Sequence, residues 1–256
     1  MNDRMILTPY FLDGREPDIA ELAGDDWRVV EVEMAHAEQL RRMGELYNEL
    51  AGEVSGALTA GERPVSIAGD CCATIGVLAG LQQAGLEPTL IWFDAHGDFN
   101  TPETTPSGFL GGMPLAMAVG LGDQTLLRET GLRPWPVGKV VLADGRDLDP
   151  GERENVARSG ITHVADIDQL VDPDNLPDGP LYVHLDADVI DPTEAAAMNY
   201  PAPGGPSSEQ VRGVLRALAA TGRVVAVSVS LWEPTLDPDG ETQAVVQGAI
   251  NALLGR

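Results

Sequence analysis

Apolar residues in this chain fall into two alternating patterns. Short continuous runs, such as Thr89-Leu90-Ile91-Trp92-Phe93 and Leu181-Tyr182-Val183-His184-Leu185, recur between longer amphipathic segments. Continuous runs predict strands buried on both faces of a parallel sheet, because a strand with one wet face would alternate apolar and polar residues. Strands are expected at 5–9, 28–34, 65–68, 89–93, 139–143, 161–164, 181–185 and 223–228. Helices are expected at 37–58, 73–84, 112–120, 151–159, 208–220 and 242–254. Asp149 or Pro150 opens one of them and Ser207 or Ser208 another, by a side-chain cap or a proline in the first turn. Regular alternation of strand and helix predicts a doubly wound α/β fold. Ligands of such sheets bind beyond the carboxyl ends of the strands. Segments 100–108 and 192–206 read as long functional loops, neither as a linker, and 1–256 reads as one domain.

The chemistry-bearing residues fall at those strand ends. One apolar run leads into Asp94-Ala95-His96-Gly97-Asp98, the other into Asp186-Ala187-Asp188. Alternate residues of an extended segment share a side, so Asp94, His96 and Asp98 converge, as do Asp186 and Asp188. Carboxylate oxygens with some imidazole suit hard divalent ions such as Mn²⁺. A lone aspartate at a strand end commonly caps a helix or closes a turn. Two such clusters, each after a buried strand, point instead to a binuclear metal site that activates water.

Charge narrows the partners. The chain carries 40 acidic and 16 basic residues, for a net charge of −24, and Lys139 is its one lysine. So acidic a surface repels nucleic acid and anionic membranes, and attracts metal ions and guanidinium-bearing small molecules. The same charge also serves solubility. No apolar stretch reaches the roughly 18 residues of a membrane span. The first residues lack the basic-then-apolar layout of a signal peptide, so the cytoplasm is the expected address. Cys71 and Cys72 are adjacent and rarely able to bridge each other, which leaves them as free thiols or as ligands.

These motifs carry a family resemblance. Asp94-Ala95-His96-Gly97-Asp98 and Leu185-Asp186-Ala187-Asp188-Val189-Ile190-Asp191-Pro192 resemble the two signature motifs of the arginase–agmatinase ureohydrolase family. Ala68-Gly69-Asp70-Cys71 stands where a third family motif, Gly-Gly-Asp-His, belongs. Order and spacing agree from Ser66 to the C-terminus. The resemblance implies a three-layer α/β/α fold with a central, mainly parallel sheet, and a pair of Mn²⁺ ions. It implies that Asp94 and Asp186 bridge the ions, that His96 and Asp188 complete one shell, and that Asp98 and Cys71 complete the other. It implies homo-oligomers, trimers or hexamers. Glu233, after the apolar run 224–229, resembles the glutamate that orients the guanidinium. Arg146-Asp147-Leu148-Asp149-Pro150-Gly151-Glu152 resembles the arginase segment whose second aspartate, here Asp149, reads an α-amino group. The loop 100–108 is arginase-like, which implies that Asn100, Thr105 and Ser107 bind an α-carboxylate. Each of these has an ordinary alternative: an exposed loop glutamate, a helix-capping aspartate, turn-forming side chains.

Two departures bear on the substrate. Cys71 replaces a histidine; a thiolate is softer and charged, and favours Zn²⁺ or Fe²⁺ over Mn²⁺, unless it is only a buried thiol. Cys72 reads as packing. Gly111 stands where arginases have a histidine thought to shuttle protons. His36 and His163 lie outside the motifs, and His184, two residues before Asp186, reads equally as a core residue. A missing shuttle is best tolerated with a less basic substrate, and the N-hydroxyl of Nω-hydroxy-arginine lowers the basicity of its guanidine; the histidine-to-cysteine change also resembles the hydroxy-arginine amidinohydrolases. The expected activity is hydrolysis of L-arginine or Nω-hydroxy-L-arginine to ornithine plus urea or hydroxyurea, with Asp98 moving the proton. An agmatinase or other guanidino-acid hydrolase, which would not need Asp149, and a non-catalytic family member, which would bind no metal, are the alternatives.

Overall fold

Strand and helix alternate along the whole chain in the computed structural model, which describes residues 2–230 and 232–256. In chain order the elements are β1 (Asp3–Thr8), β2 (Tyr10–Phe11), β3 (Gly14–Arg15), α1 (Pro17–Ala20), β4 (Arg28–Val29), α2 (Gln39–Thr59), β5 (Arg63–Ala68), α3 (Thr74–Gln83), β6 (Thr89–His96), α4 (Pro114–Ala118), α5 (Thr125–Thr130), β7 (Val140–Asp147), α6 (Pro150–Ser159), β8 (Thr162–Val164), β9 (Leu181–Asp186), α7 (Ser208–Ala220), β10 (Val224–Ser230) and α8 (Glu241–Leu254). Eight strands form one parallel sheet in the order β4-β1-β5-β10-β9-β6-β7-β8. β2 and β3 make a separate antiparallel hairpin.

The continuous apolar runs are explained by two cores, one on each face of the sheet. Leu90 and Trp92 join the core under α2, α3 and α4, while Ile91 and Phe93 join the core under α7 and α8. Each strand therefore needs an apolar residue at every step. The result is the three-layer α/β/α arrangement expected.

The order of the strands positions the site. The chain passes from β5 to β6 across two places in the sheet that β9 and β10 later fill. The carboxyl ends of β5, β10, β9 and β6 thus stand side by side at the centre, with a crevice above them.

Local differences from the sequence reading have local causes. The strand expected at 28–34 pairs only through Arg28 and Val29. Val30 still donates to Leu7 O at 2.8 Å, but β4 is an edge, and Glu31 and Glu33 beyond it face solvent. The helix expected at 112–120 is the short α4 after a 3-10 turn at Leu110–Gly112, because Pro114 at its first position has no N–H to continue an earlier turn. Ser207 caps α7: its Oγ accepts from Gln210 N at 3.2 Å, and Gln210 Oε1 accepts from Ser207 N at 3.0 Å.

Candidate metal centre

Phe93 pairs with Leu185 across β6 and β9, so the residues that follow, Asp94 and Asp186, leave the sheet next to each other. Backbone and indole groups then lock the carboxylates. Asp94 is 1% exposed; its Oδ2 accepts from the Trp92 indole at 2.9 Å and its Oδ1 from His96 N at 2.7 Å. Asp188 Oδ1 accepts from Ala95 N at 3.1 Å and ties the two strand ends together. Asp186 Oδ1 accepts from Asp188 N at 2.8 Å. His96 Nδ1 lies 2.9 Å from Asp188 Oδ2 and 3.5 Å from Asp94 Oδ1.

Cys71 opens the 3-10 turn Cys71–Ala73 after β5. Asp70 holds that turn by accepting from Cys72 N at 2.8 Å and Leu12 N at 2.6 Å. Cys71 Sγ lies 2.8 Å from Asp186 Oδ2 and 3.0 Å from Ser230 Oγ at the end of β10.

Asp98 arrives by a different route from the one its spacing suggests. The strand stops at His96, and Asp98 has φ 49°, a left-handed conformation that costs an aspartate energy. Its carbonyl accepts from Leu115 N at 3.0 Å and Ala116 N at 3.1 Å, which fixes the turn and swings the side chain inward. Gly97 is needed beside it: a Cβ there would meet Leu148 at 2.5 Å and Glu152 at 2.7 Å.

Ligand atoms gather in three overlapping sets, each within 4.8 Å: Asp94, His96 and Asp188; Cys71, Asp94 and Asp98; Cys71, His184 and Asp186. The sets share Asp94 and Cys71. Burial, then mutual repulsion, raises Asp94 to about 6 and lifts Asp98 and Asp186 well above the usual carboxylate range. Burial opposes charge on His96, but its bonds to Asp188 and Asp94 prevail and push it up to about 12. Burial also raises the Cys71 thiol, as do Asp186, Asp98 and Asp94 around it. Among the described residues, Asp98 Oδ2 is a buried oxygen without a hydrogen-bond partner. Four converging carboxylates with one facing cation and an orphaned oxygen fit a pair of divalent ions, which would neutralise all of them at once.

A cavity of about 420 Å³ opens over this cluster. Asn100, Thr105, Ser107 and Asp149 line it, and among the described residues no lysine or arginine does. Asn100 Nδ2 donates to Asp149 Oδ2 at 2.9 Å, and Thr104 Oγ1 donates to Asn100 Oδ1 at 3.0 Å. The Thr105 and Ser107 hydroxyls accept from Gly108 N at 3.0 Å and Phe109 N at 3.2 Å and lie 3.5 Å from each other, so that one of the two protons stays available to an anion even when they pair. Glu233 is not part of the cavity wall. It caps the turn Pro234–Leu236, accepting from Thr235 N at 3.0 Å and Thr235 Oγ1 at 2.6 Å. Its Oε2 is 3.4 Å from Asn199 Nδ2, and Asn199 does line the cavity.

Several residues that the structure brings to the site were not assigned to it from the sequence, His184 among them, which read equally as a core residue. Glu152 accepts from Phe99 N at 2.8 Å and Asp149 N at 3.1 Å, and burial raises it to about 7. Its spacing of three from Asp149, the capping-box interval, was the available signal. Trp92 and His184 share the strand parity of Asp94 and Asp186, one step beneath each ligand. His184 is buried, and burial pulls it down to about 3. Phe11, Phe109 and Tyr200 form an aromatic wall, with ring centroids 6.1 Å and 5.0 Å apart in sequence. A Cβ on Gly111 would lie 2.3 Å from Phe109 Cε1, so that ring occupies the space of any side chain at 111. Nothing in the local pattern predicts these contacts between loops.

Comparison with known proteins agrees with this architecture. The family model described as "Arginase family" matches residues 12–255. The arginase of Bacillus subtilis (strain 168) is 32% identical over 220 residues, covering 81% of this chain and 74% of that protein. The N(omega)-hydroxy-L-arginine amidinohydrolase of Streptomyces lavendulae is 32% identical over 225 residues, covering 87% of this chain and 77% of that protein. The native structure of Bacillus caldovelox arginase superposes with a TM-score of 0.85 at 26% identity, covering 100% of this chain and 98% of that one.

Proposed function

This chain belongs to the arginase family, and from that premise we propose that it is a binuclear metal amidinohydrolase acting on Nω-hydroxy-L-arginine or L-arginine. The observation that carries the reading is a single cavity. Its floor is an acidic, ligand-rich cluster, its wall carries Asn100, Thr105, Ser107 and Asp149, and no described lysine or arginine competes for the floor. Such a cavity suits a molecule with a cationic head, an ammonium and a carboxylate. Cys71, Asp94, His96, Asp98, Asp186 and Asp188 would hold the ions, either two Mn²⁺ or a softer pair. When bound, the ions supply Lewis-acid activation of the attacking water.

The chain's own residues do the rest. Asp98, which lines the cavity and keeps a buried oxygen without a hydrogen-bond partner, accepts a proton from water and returns it to the leaving amine. The guanidino C–N bond breaks, and the products are ornithine and urea, or ornithine and hydroxyurea. Asp149 receives the α-ammonium, while Asn100, Thr105 and Ser107 donate to the α-carboxylate. Glu233 orients the guanidinium only by leaving its cap on Thr235. Phe109, Phe11 and Tyr200 give the cation an aromatic face. The filled space at Gly111 leaves no titratable side chain there, which favours the hydroxylated substrate, whose guanidine is less basic.

A substrate panel on metal-reconstituted protein, with urea and hydroxyurea read separately, tests the proposal. Turnover of hydroxy-arginine above arginine, and of both above agmatine, is expected. Agmatine as the best substrate would transfer the protein to the agmatinase branch. Absence of both bound metal and turnover would make it a non-catalytic member.

A further inference from the structure

His184 is one of four histidines in the chain and is 1% exposed. It stands on β9 two residues before Asp186, and its ring lies against Trp92 with centroids 4.0 Å apart. Nδ1 is 2.7 Å from Ser228 Oγ and 3.2 Å from Thr74 Oγ1, and Ser228 Oγ is 2.6 Å from Tyr182 OH. Nε2 faces the other way, 3.3 Å from Cys71 Sγ, which is itself 2.8 Å from Asp186 Oδ2. We propose that His184 Nε2 is a metal ligand, and that with Cys71 and Asp186 it turns one of the two metal positions into a soft site of sulfur, nitrogen and oxygen. This rests on the reading that the cluster holds two ions.

The geometry is that of a ligand. Bonds of about 2.3 Å to sulfur and 2.1 Å to nitrogen, at right angles or wider, set the two atoms roughly 3.1–3.6 Å apart. Cys71 and His184 are already at that separation. The surroundings agree. A metal-bound histidine donates its other ring N–H to an oxygen, which fixes the ring; Ser228 Oγ stands in that place, backed by Tyr182. Trp92 on the ring face prevents rotation. A cysteine side chain is short, and the imidazole from β9, one step beneath Asp186, reaches its sulfur from below the floor. It adds a donor without adding charge to a cluster that already holds four carboxylates. The set Asp94, His96 and Asp188 has no sulfur, so the two positions differ in softness. The softer one selects Zn²⁺, Fe²⁺ or Co²⁺ over Mn²⁺.

X-ray absorption on the full-length protein, loaded with two equivalents of Co²⁺ or of Zn²⁺, counts imidazoles without any mutation. His163 is engaged with Asp144 O at 2.7 Å and His36 lies beside Glu45, so neither competes. One sulfur and two imidazoles over the two ions are expected, with a sulfur-to-cobalt charge-transfer band in the near ultraviolet. His184→Gln, which keeps an N–H donor for Cys71, should lose one imidazole and release the second equivalent on dialysis. Two bound ions with a single imidazole in the wild type would overturn the assignment, reduce His184 to a hydrogen-bond partner of Cys71, and leave the binuclear reading standing. Failure to bind a second ion at all would overturn both.

Discussion

The floor of the cavity is built from the ends of β5, β6 and β9, whereas its rim is built from loops, 100–112 on one side and 198–200 on the other. On the floor, Asp94 and Asp98 are almost inaccessible; Asp188 accepts from a backbone N–H of the neighbouring strand, and Asp94 and Asp186 accept from the N–H two residues on, at ends placed side by side by the sheet. On the rim, Ser107 and Tyr200 are exposed, and the bonds that shape the loop are local, such as Gly108 N to Thr105 Oγ1. A group held by ladder register has no alternative place to go, and a group held by a turn does. The floor therefore decides whether there is chemistry, and the rim decides on what.

The largest effect should follow from breaking the floor. Asp94→Asn is expected to lose both ions and all measurable turnover together, read by elemental analysis after dialysis and by urea release. A fully metallated, active variant would abolish the distinction between floor and rim. Asp98→Asn should lower kcat by about 10²–10⁴ through loss of proton transfer, with a smaller change in KM, in a steady-state assay.

The pH dependence of stability separates the two regions without mutation. In metal-free protein Asp94 is raised to about 6 and Glu152 to about 7, from 3.8 and 4.5. Between those limits the folded chain holds protons that the unfolded chain has released. Stability is therefore full below about pH 4 for these groups and falls as pH rises through 6 to 7. Bound ions favour the ionised carboxylates and reverse the slope. Thermal melts across that range, with and without chelator, check it; a metal-free Tm that rises with pH would contradict the uncompensated floor.

Rim changes should be graded. Asp149→Ala is expected to raise KM for arginine-like substrates about 10- to 100-fold, the value of a charge-assisted hydrogen bond, and to spare agmatine. Its lost helix cap should cost about 1 kcal/mol as well, visible as a lowered Tm. The smallest effect belongs to Tyr200→Ala at the open end of the aromatic wall. About a two- to fivefold rise in KM is expected from the lost cation–π contact, and a loss larger than that of Asp149→Ala would mean that the rim is organised around the rings.

Legibility in the sequence follows the same division. Asp94, His96, Asp186 and Asp188 were readable because two continuous apolar runs announce buried strands and alternation fixes which side chains emerge together, while the pairing of β6 with β9 that joins the two clusters is seen only in the sheet. Asp98 was named for its spacing, yet a left-handed turn places it. The strand expected at 28–34 failed past Val29 because an apolar–polar pattern does not say where an edge runs out of partners. Glu233 was named for following β10, and its side chain turned back to cap Thr235, a choice between two hydrogen-bond partners that spacing does not rank.

By itself the sequence determined a parallel sheet buried on both faces, the four acidic and imidazole side chains at its strand ends and the acidity of the site. Those depend on the period of the backbone and on formal charge, which are properties of neighbours along the chain. Only the tertiary structure decided that His184 meets Cys71, that Phe109 fills the space at Gly111 and that Glu233 stands behind Asn199. Those contacts join segments brought together by strand order and loop closure, and a linear pattern carries no record of the distance between them.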